Sequence, residues 1–268
     1  MKLLLFISLL ICNAFSIQQT IIMESGRIPY ADTILVTMPD KEFENEKLPA
    51  VFLLHGWSGD FRQWDKITDL QQLADQYLCY IISPSGFYDS WYINSPVREN
   101  IQYQSYFINE LLPLMINTFN IDSKNVFVSG LSMGGFGALS LLLHYPDKIK
   151  AAGSTSGVLD LTHFPNRWGL EKVLGQYKDY GERYYVYSPM GKLVVSSAFI
   201  NKIIIDCGTE DFAYEVNREF YNLAKQKKFD IQFISRPGGH TWQYWKESIP
   251  YHFLFFSRQF TSYDNKEK

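Results

Sequence analysis

The hydrophobic pattern of the chain alternates between short apolar runs and longer amphipathic stretches. Continuous runs of Val, Ile, Leu and Phe are typical of strands buried on both faces of a sheet, and the amphipathic stretches between them predict helices. The predicted strands lie at 20–27, 31–38, 50–54, 78–83, 125–129, 151–156, 201–207 and 231–235, and the predicted helices at 70–77, 101–118, 136–143, 214–227 and 242–258. This order predicts an α/β fold with a mostly parallel central sheet and helices on both faces.

Residues 158–198 interrupt the alternation. The segment has weak periodicity and contains several glycines and tyrosines. A chain of 268 residues suits one large α/β domain. We therefore interpret 158–198 as an insertion over the functional site and not as a separate domain.

The first 16 residues have the pattern of a secretory signal peptide. Lys2 provides a basic start, an apolar run covers 3–12, and small residues precede the cleavage point. We expect a single mature domain over 17–268 that is exported, either periplasmic or secreted. The alternatives are lipidation at Cys12 or a buried N-terminal element. No later run of about 18 apolar residues follows, so we expect no integral membrane span.

Charge and cysteine content narrow the class of protein. The net charge of −3, from 25 basic and 28 acidic residues, does not suggest a nucleic-acid or anionic-membrane partner. Cys79 and Cys207 lie in apolar strand runs and are expected to be buried, with a disulfide between them as the alternative. The sequence has no Cys–His cluster that would suggest zinc, and we predict no metal and no cofactor. The sequence gives no prediction of the oligomeric state.

The stretch GLSMGG at 130–135 has the spacing of a nucleophile elbow. It follows the apolar run 125–129 and precedes the helical pattern 136–143, which is the strand–turn–helix context that G-x-S-x-G requires. The flanking glycines lack a Cβ and let the strand and helix approach closely. Ser132 is therefore the candidate nucleophile.

Two later residues complete a candidate catalytic triad. A serine hydroxyl needs an adjacent base, and the base needs an orienting acid. Asp211 and His240 each follow a predicted strand, in the chain order Ser, Asp, His of α/β-hydrolases. Glu210 and Asp206 are rivals for the acid. We favour Asp211 because Asp206 falls inside the strand.

The intermediate of acyl transfer carries an oxyanion that needs preorganised N–H donors. The amide of Met133, directly after the nucleophile, is one candidate. The second is the amide of Trp57, in the loop after the strand 50–54. A structural turn is the alternative interpretation of that loop.

Five short motifs occur together in the order of one known family. They are HGWSG at 55–59, SWY at 90–92, GLSMGGFG at 130–137, GTEDF at 208–212 and GGHTW at 238–242. Together they resemble the esterase-D-like family of α/β-hydrolases. That family includes tributyrin esterases, the acetylxylan and feruloyl esterases of carbohydrate esterase family 1, S-formylglutathione hydrolases and mycolyltransferases. The resemblance implies the same triad and oxyanion residues, Ser132, Asp211, His240, Met133 and Trp57.

The chain is therefore expected to be an exported serine carboxylesterase that removes acetyl or feruloyl groups from plant polysaccharide such as xylan. Aromatic residues make up 16% of the chain, and among them Trp91 and Tyr92 are the candidate substrate-binding residues. A general short-chain acyl esterase, like the tributyrin esterases, is the first alternative. A catalytically inactive carbohydrate-binding relative is the second. The expected partner is a small-molecule or polysaccharide acyl ester.

Overall fold

Eight strands form one sheet in the computed structural model, which describes residues 17–41, 46–197 and 201–260. The strands are β1 Gln18–Met23, β2 Asp32–Thr37, β3 Leu48–Leu54, β4 Tyr80–Ser83, β5 Ile121–Leu131, β6 Ala151–Thr155, β7 Lys202–Gly208 and β8 Asp230–Arg236. Their order across the sheet is β1-β2-β4-β3-β5-β6-β7-β8. β1 pairs with β2 and β2 with β4 in antiparallel fashion, and the pairings from β4 to β8 are parallel. The mostly parallel sheet is confirmed, while the predicted signal peptide lies outside the described residues.

Ten α-helices lie between or after these strands within the described ranges. They are α1 Gln63–Ile67, α2 Leu70–Tyr77, α3 Tyr103–Tyr106, α4 Leu112–Thr118, α5 Met133–His144, α6 Leu170–Leu174, α7 Tyr177–Val186, α8 Pro189–Val195, α9 Tyr214–Gln226 and α10 Trp242–Ser257. A π-helical turn over Phe107–Leu111 joins α3 to α4, and a 3-10 turn covers Leu161–His163.

The two faces of the sheet bury different side chains. On β3, Phe52 and Leu54 pack into one core cluster, whereas Val51 and Leu53 pack into the other. Side chains alternate between faces along a strand, so this division shows that both faces are covered. Residues of α4, α5 and α9 contribute to the first cluster, and residues of α1, α2 and α10 to the second. The helices on both faces are confirmed.

Several elements differ from the sequence prediction, among them β1, which is Gln18–Met23 where 20–27 was expected. The helix expected over 101–118 contains the π turn, which ends at Leu111, two residues before Pro113, a residue that cannot donate a helical hydrogen bond. β5 begins at Ile121 because this residue pairs with Leu48 across an irregularity in the register. The short helix α1 was not predicted.

The segment predicted as an insertion forms α6, α7 and α8 through residue 197. Its apolar side chains, including Leu170, Val173 and Leu193, belong to the same core cluster as α5. The amide of Met190 also donates to the carbonyl of Leu159, at 3.0 Å, which ties α8 to the start of the segment. The described part of the segment therefore packs on the main core.

Cys79 and Cys207 are both buried and free. They belong to different core clusters, and burial raises the pKa of each thiol. Buried thiols of this kind behave as small apolar side chains.

Candidate active site

Ser132 occupies a sharp turn between β5 and α5. Its backbone has a φ of 53° and a ψ of −114°, a region that non-glycine residues rarely adopt. A Cβ on Gly134 would collide with the carbonyl of Leu54, and one on Gly130 would collide with Gly134. Only glycine therefore fits at both flanks of the turn. The amide of Ser132 donates to the carbonyl of Thr155, at 3.0 Å, which fixes the turn against β6.

The side chains of Ser132, His240 and Asp211 form one hydrogen-bonded chain. Nε2 of His240 lies 3.0 Å from Oγ of Ser132. Nδ1 of His240 lies 3.0 and 2.9 Å from the two carboxylate oxygens of Asp211. The Asp211 carboxylate is buried and also accepts from the amide of Ala213 at 2.9 Å, whereas the His240 side chain is 21% exposed. The arrangement leaves Nε2 of His240 able to accept the hydroxyl proton.

The loops that carry the acid and the base are bonded to each other. The amide of Glu210 donates to the carbonyl of Gly238, at 3.0 Å, and a Glu210 carboxylate oxygen accepts from the amide of Gly238. Hydrogen bonds from Thr209 and from this amide lower the pKa of Glu210. Glu210, one of the rival acids, thus joins the two loops, and Asp211 is the carboxylate beside His240.

Asp206, the second rival acid, belongs to another buried set of side chains. Its Oδ2 accepts from Nε2 of His252 at 2.6 Å, and Nδ1 of that imidazole lies 2.7 Å from Oγ of Ser129. The remaining oxygen, Oδ1, accepts from the hydroxyl of Thr155 at 2.7 Å. This set, which we call the lower Ser–His–Asp set, is buried and does not contact the cavity.

The two candidate oxyanion donors lie at the start of α5, at Met133, and in the loop after β3, at Trp57. Among the described residues, no protein acceptor is bonded to the amides of Met133 or Trp57. The neighbouring Gly56 amide donates to Oε1 of Gln63, at 2.7 Å, and the Ser58 amide donates to the carbonyl of Tyr88. The loop is therefore held by groups on both sides of Trp57, while the Trp57 amide itself has no protein partner within the described ranges.

The buried imidazole of His55 makes hydrogen bonds that hold this loop. The amide of Gly86 donates to Nε2 of His55 at 2.7 Å, so Nδ1 carries the proton and donates to the carbonyl of Gly56, also at 2.7 Å. Burial lowers the pKa of His55 to about 4. The imidazole is neutral at pH 7 and braces the turn.

A further buried titratable group is the carboxyl of Asp32, at the start of β2. Asp32 accepts hydrogen bonds from the Tyr106 hydroxyl at 2.8 Å and from the Ser85 amide at 2.7 Å. Burial raises the pKa of Asp32 to about 8, although both hydrogen bonds act in the opposite direction. Its protonation state therefore changes near neutral pH.

The expectation that Trp91 and Tyr92 bind substrate is corrected. Their side chains are buried, with exposures of 1% and 0%, and neither lines the cavity. The Tyr92 hydroxyl donates to the carbonyl of His55 at 2.9 Å. The Trp91 indole donates to the carbonyl of Trp168 at 3.1 Å and packs edge-on against Phe136. Both side chains point into the protein. Tyr92 therefore holds the loop after β3, and Trp91 holds Trp168.

A cavity of about 390 Å³ opens at Ser132 and His240. One side of it is aromatic, with Phe212 4.4 Å from the imidazole of His240 between ring centroids and Trp245 edge-on at 4.9 Å. Trp168, from the predicted insertion, packs on Phe212 at 5.5 Å and also lines the cavity. Phe212 and Trp245 were missed by sequence reasoning, although each lies close in sequence to a triad residue.

Within the described ranges, no group of three or more His, Cys, Asp or Glu side chains is placed to hold a metal ion. Among the helices of the same residues, none combines the length and hydrophobicity needed to cross a bilayer.

The nucleophile turn, the order of the triad and the mostly parallel sheet define an α/β-hydrolase with a serine nucleophile site. The family model described as "Putative esterase" matches residues 25–256, and the chain belongs to this esterase family. Membership and site together make it a serine carboxylic ester hydrolase.

Known proteins resemble the chain over most of its length. An acetyl esterase of Caldicellulosiruptor saccharolyticus is 29% identical over 251 residues, which cover 83% of this chain and 90% of the relative. The fluorophosphonate-binding serine hydrolase F of Staphylococcus aureus superposes with a TM-score of 0.77 at 24% identity, covering 90% of this chain and 98% of that one. A ferulic acid esterase superposes with a TM-score of 0.73 at 23% identity, covering 91% and 99%. The two structural likenesses concern the fold.

Proposed function

We propose that Ser132 is the nucleophile of a two-step acyl transfer to water. Its Oγ attacks the ester carbonyl while Nε2 of His240 takes the hydroxyl proton, and Asp211 orients and stabilises the resulting imidazolium. The amides of Met133 and Trp57 bind the oxyanion of the tetrahedral intermediate. Collapse expels the alcohol, which receives its proton from His240. Water then attacks the acyl-enzyme with His240 as base and releases the acid.

The observation that carries this proposal is the continuous hydrogen-bonded chain at the cavity. Oγ of Ser132, the imidazole of His240 and the carboxylate of Asp211 are linked by contacts of 2.9 to 3.0 Å. Two amides that have no protein partner in the part of the chain that the structure describes lie next to the nucleophile and in the loop after β3, where an oxyanion needs donors.

The test compares Ser132→Ala and His240→Ala with a matched control, His163→Ala. His163 is exposed and outside the cavity lining. Loss of either triad residue should lower kcat for p-nitrophenyl acetate by about 10³-fold or more, because triad members act as a unit. The control should retain the wild-type rate. Wild-type turnover in Ser132→Ala would refute the assignment.

The substrate class we propose is an acyl ester of plant polysaccharide, with acetyl or feruloyl groups on xylan. The leaving alcohol must lie beside His240, which protonates it, and the rings of Phe212 and Trp242 lie there, each 48% exposed. Flat, half-exposed rings suit stacking on sugars. The similarity to an acetyl esterase supports the acyl part of this proposal.

A substrate panel separates this class from a general short-chain esterase. Purified protein should be assayed on acetylated xylan, methyl ferulate and p-nitrophenyl acetate, together with Trp242→Ala and the exposed control Tyr251→Ala. We expect Trp242→Ala to raise KM for the polysaccharide more than for the aryl ester. Activity on the aryl ester alone, or equal effects of both variants, would favour the short-chain esterase.

Export is part of the proposal and rests on the sequence of the first 16 residues. Intact mass of the protein recovered from the periplasm or medium should match a chain that begins at Ile17. Recovery of the uncleaved chain from the cytoplasm would refute export.

A further inference from the structure

The two sides of the catalytic cavity differ in chemistry. The side next to His240 is aromatic. The other side adjoins the Gly56–Trp57 loop and is polar, with Asp60 from the loop and Gln63 and Lys66 from α1. On this short helix, Trp64 and Ile67 point into the core, so Gln63 and Lys66 share the cavity face.

Gln63 is the polar side chain whose orientation is determined by the protein. Its Oε1 accepts from the Gly56 amide at 2.7 Å, and only the oxygen of a carboxamide can accept. The nitrogen, Nε2, is therefore on the opposite side with two N–H groups. Among the described residues, no protein acceptor is bonded to them. A Cβ on Gly59 would come within 2.7 Å of Oε1, so the loop can lie this close to the Gln63 amide because residue 59 is glycine.

The proposed mechanism places the two parts of an ester on different sides of the cavity, and the role of Gln63 rests on that proposed function. The alcohol lies beside His240, which protonates it, and the carbonyl oxygen lies at the amides of Trp57 and Met133. The acyl group then extends away from His240, towards Gly56 and α1.

We infer that Gln63 is a specificity-determining residue whose Nε2 donates a hydrogen bond to an oxygen atom of the acyl group. The acyl oxygen it recognises is uncharged, such as a hydroxyl, methoxy or phenolic oxygen. Lys66, the nearby cation, lies 3.4 Å from the carboxylate of Asp60, which offsets its charge at the cavity.

The test uses ester pairs that share an alcohol and differ by oxygen atoms in the acyl group. Methyl 3-hydroxybutyrate is compared with methyl butyrate, and methyl ferulate with methyl cinnamate. For each pair the measured quantity is the ratio of kcat/KM for the oxygen-bearing ester to that for its partner. A third pair, glyceryl monoacetate and propyl acetate, varies the alcohol with the acyl group held constant.

Two substitutions of Gln63 distinguish its acceptor from its donor. Gln63→Met removes both, whereas Gln63→Glu keeps an oxygen for the Gly56 amide and removes the donor. Gln72→Met, at an exposed position on α2, is the matched control. We expect both Gln63 variants to lower the acyl ratio of at least one pair by about 2- to 10-fold, the effect of losing one hydrogen bond. The control and the alcohol ratio should not change.

Unchanged acyl ratios in both Gln63 variants would overturn the inference, as would a loss confined to the alcohol pair. Urea unfolding of each variant verifies that it is folded, and Gln63→Glu keeps the loop supported if Gln63→Met is unstable. An inactive wild-type protein on every ester would instead count against the proposed function. Active variants with unchanged ratios would count against this inference alone.

Discussion

Replacement of His252 with leucine perturbs the lower Ser–His–Asp set without touching the cavity. The imidazole is fully buried and bonds to Ser129 at 2.7 Å and to Asp206 at 2.6 Å. Without it, the hydroxyl of Thr155 is the one side-chain partner that the Asp206 carboxylate keeps among the residues described by the structure. The variant thus leaves a charge inside the core with incomplete compensation.

The magnitude follows from the burial of both partners, whose side chains are 0% and 2% exposed. Breaking a buried pair by removing one member costs about 3–5 kcal/mol of unfolding free energy. For a chain of this size that corresponds to a fall in Tm of about 6–20 °C. Adding Asp206→Asn to His252→Leu should recover part of the loss, because the amide removes the buried charge.

The assay is urea unfolding at pH 7.5, followed by far-UV circular dichroism and by tryptophan fluorescence. His163→Leu is the control at an exposed histidine and should change the free energy of unfolding by less than about 0.5 kcal/mol. The reasoning is refuted if His252→Leu lies within about 1 kcal/mol of wild type. It is also refuted if the double variant is no more stable than His252→Leu.

Three further predictions concern labelling, pH and the cavity wall. A fluorophosphonate probe should label Ser132 and leave Ser132→Ala unlabelled, because Ser129 is buried despite its own histidine partner; labelling of Ser129 would contradict this. Because the pKa of Asp32 is raised to about 8, only the folded state holds this proton between about pH 4 and pH 8. Protonation of Asp32 therefore adds to the free energy of unfolding in full below about pH 4, and this contribution is lost as the pH rises to about 8. Asp32→Asn should reduce the fall in the free energy of unfolding with pH, measured by urea unfolding at several pH values. An unchanged pH dependence would count against this prediction. Trp91→Phe removes the hydrogen bond to the Trp168 carbonyl and should raise KM by a few-fold with kcat retained; equal KM values would show that the bond does not place Trp168.

Residues of the site that follow the end of a strand could be predicted from the sequence. Ser132, Asp211 and His240 each follow a strand, and parallel strands bring their ends to one edge of the sheet. The order of these residues along the chain was therefore enough to predict that they meet. Asp211 was favoured over Asp206 because Asp206 falls inside the predicted strand, and in the structure the Asp206 side chain bonds His252 inside the core.

The substrate side of the site could not be predicted in the same way. Trp91 and Tyr92 lie in an irregular loop, and both have positive φ values, 54° and 52°, that turn them inward. Neither hydrophobicity nor periodicity carries that information. Gln63 was missed because α1 is a five-residue helix, too short for its pattern to be distinguished from a loop.

Segment 158–197 reaches the cavity through a single side chain, Trp168, among the residues the structure describes. The rest of the segment packs on the core or faces solvent. The contribution of this segment to the choice of alcohol is consequently open to engineering at one codon. A saturation library at position 168 would sample new selectivities while the proton-transfer apparatus, carried by separate loops, stays as it is.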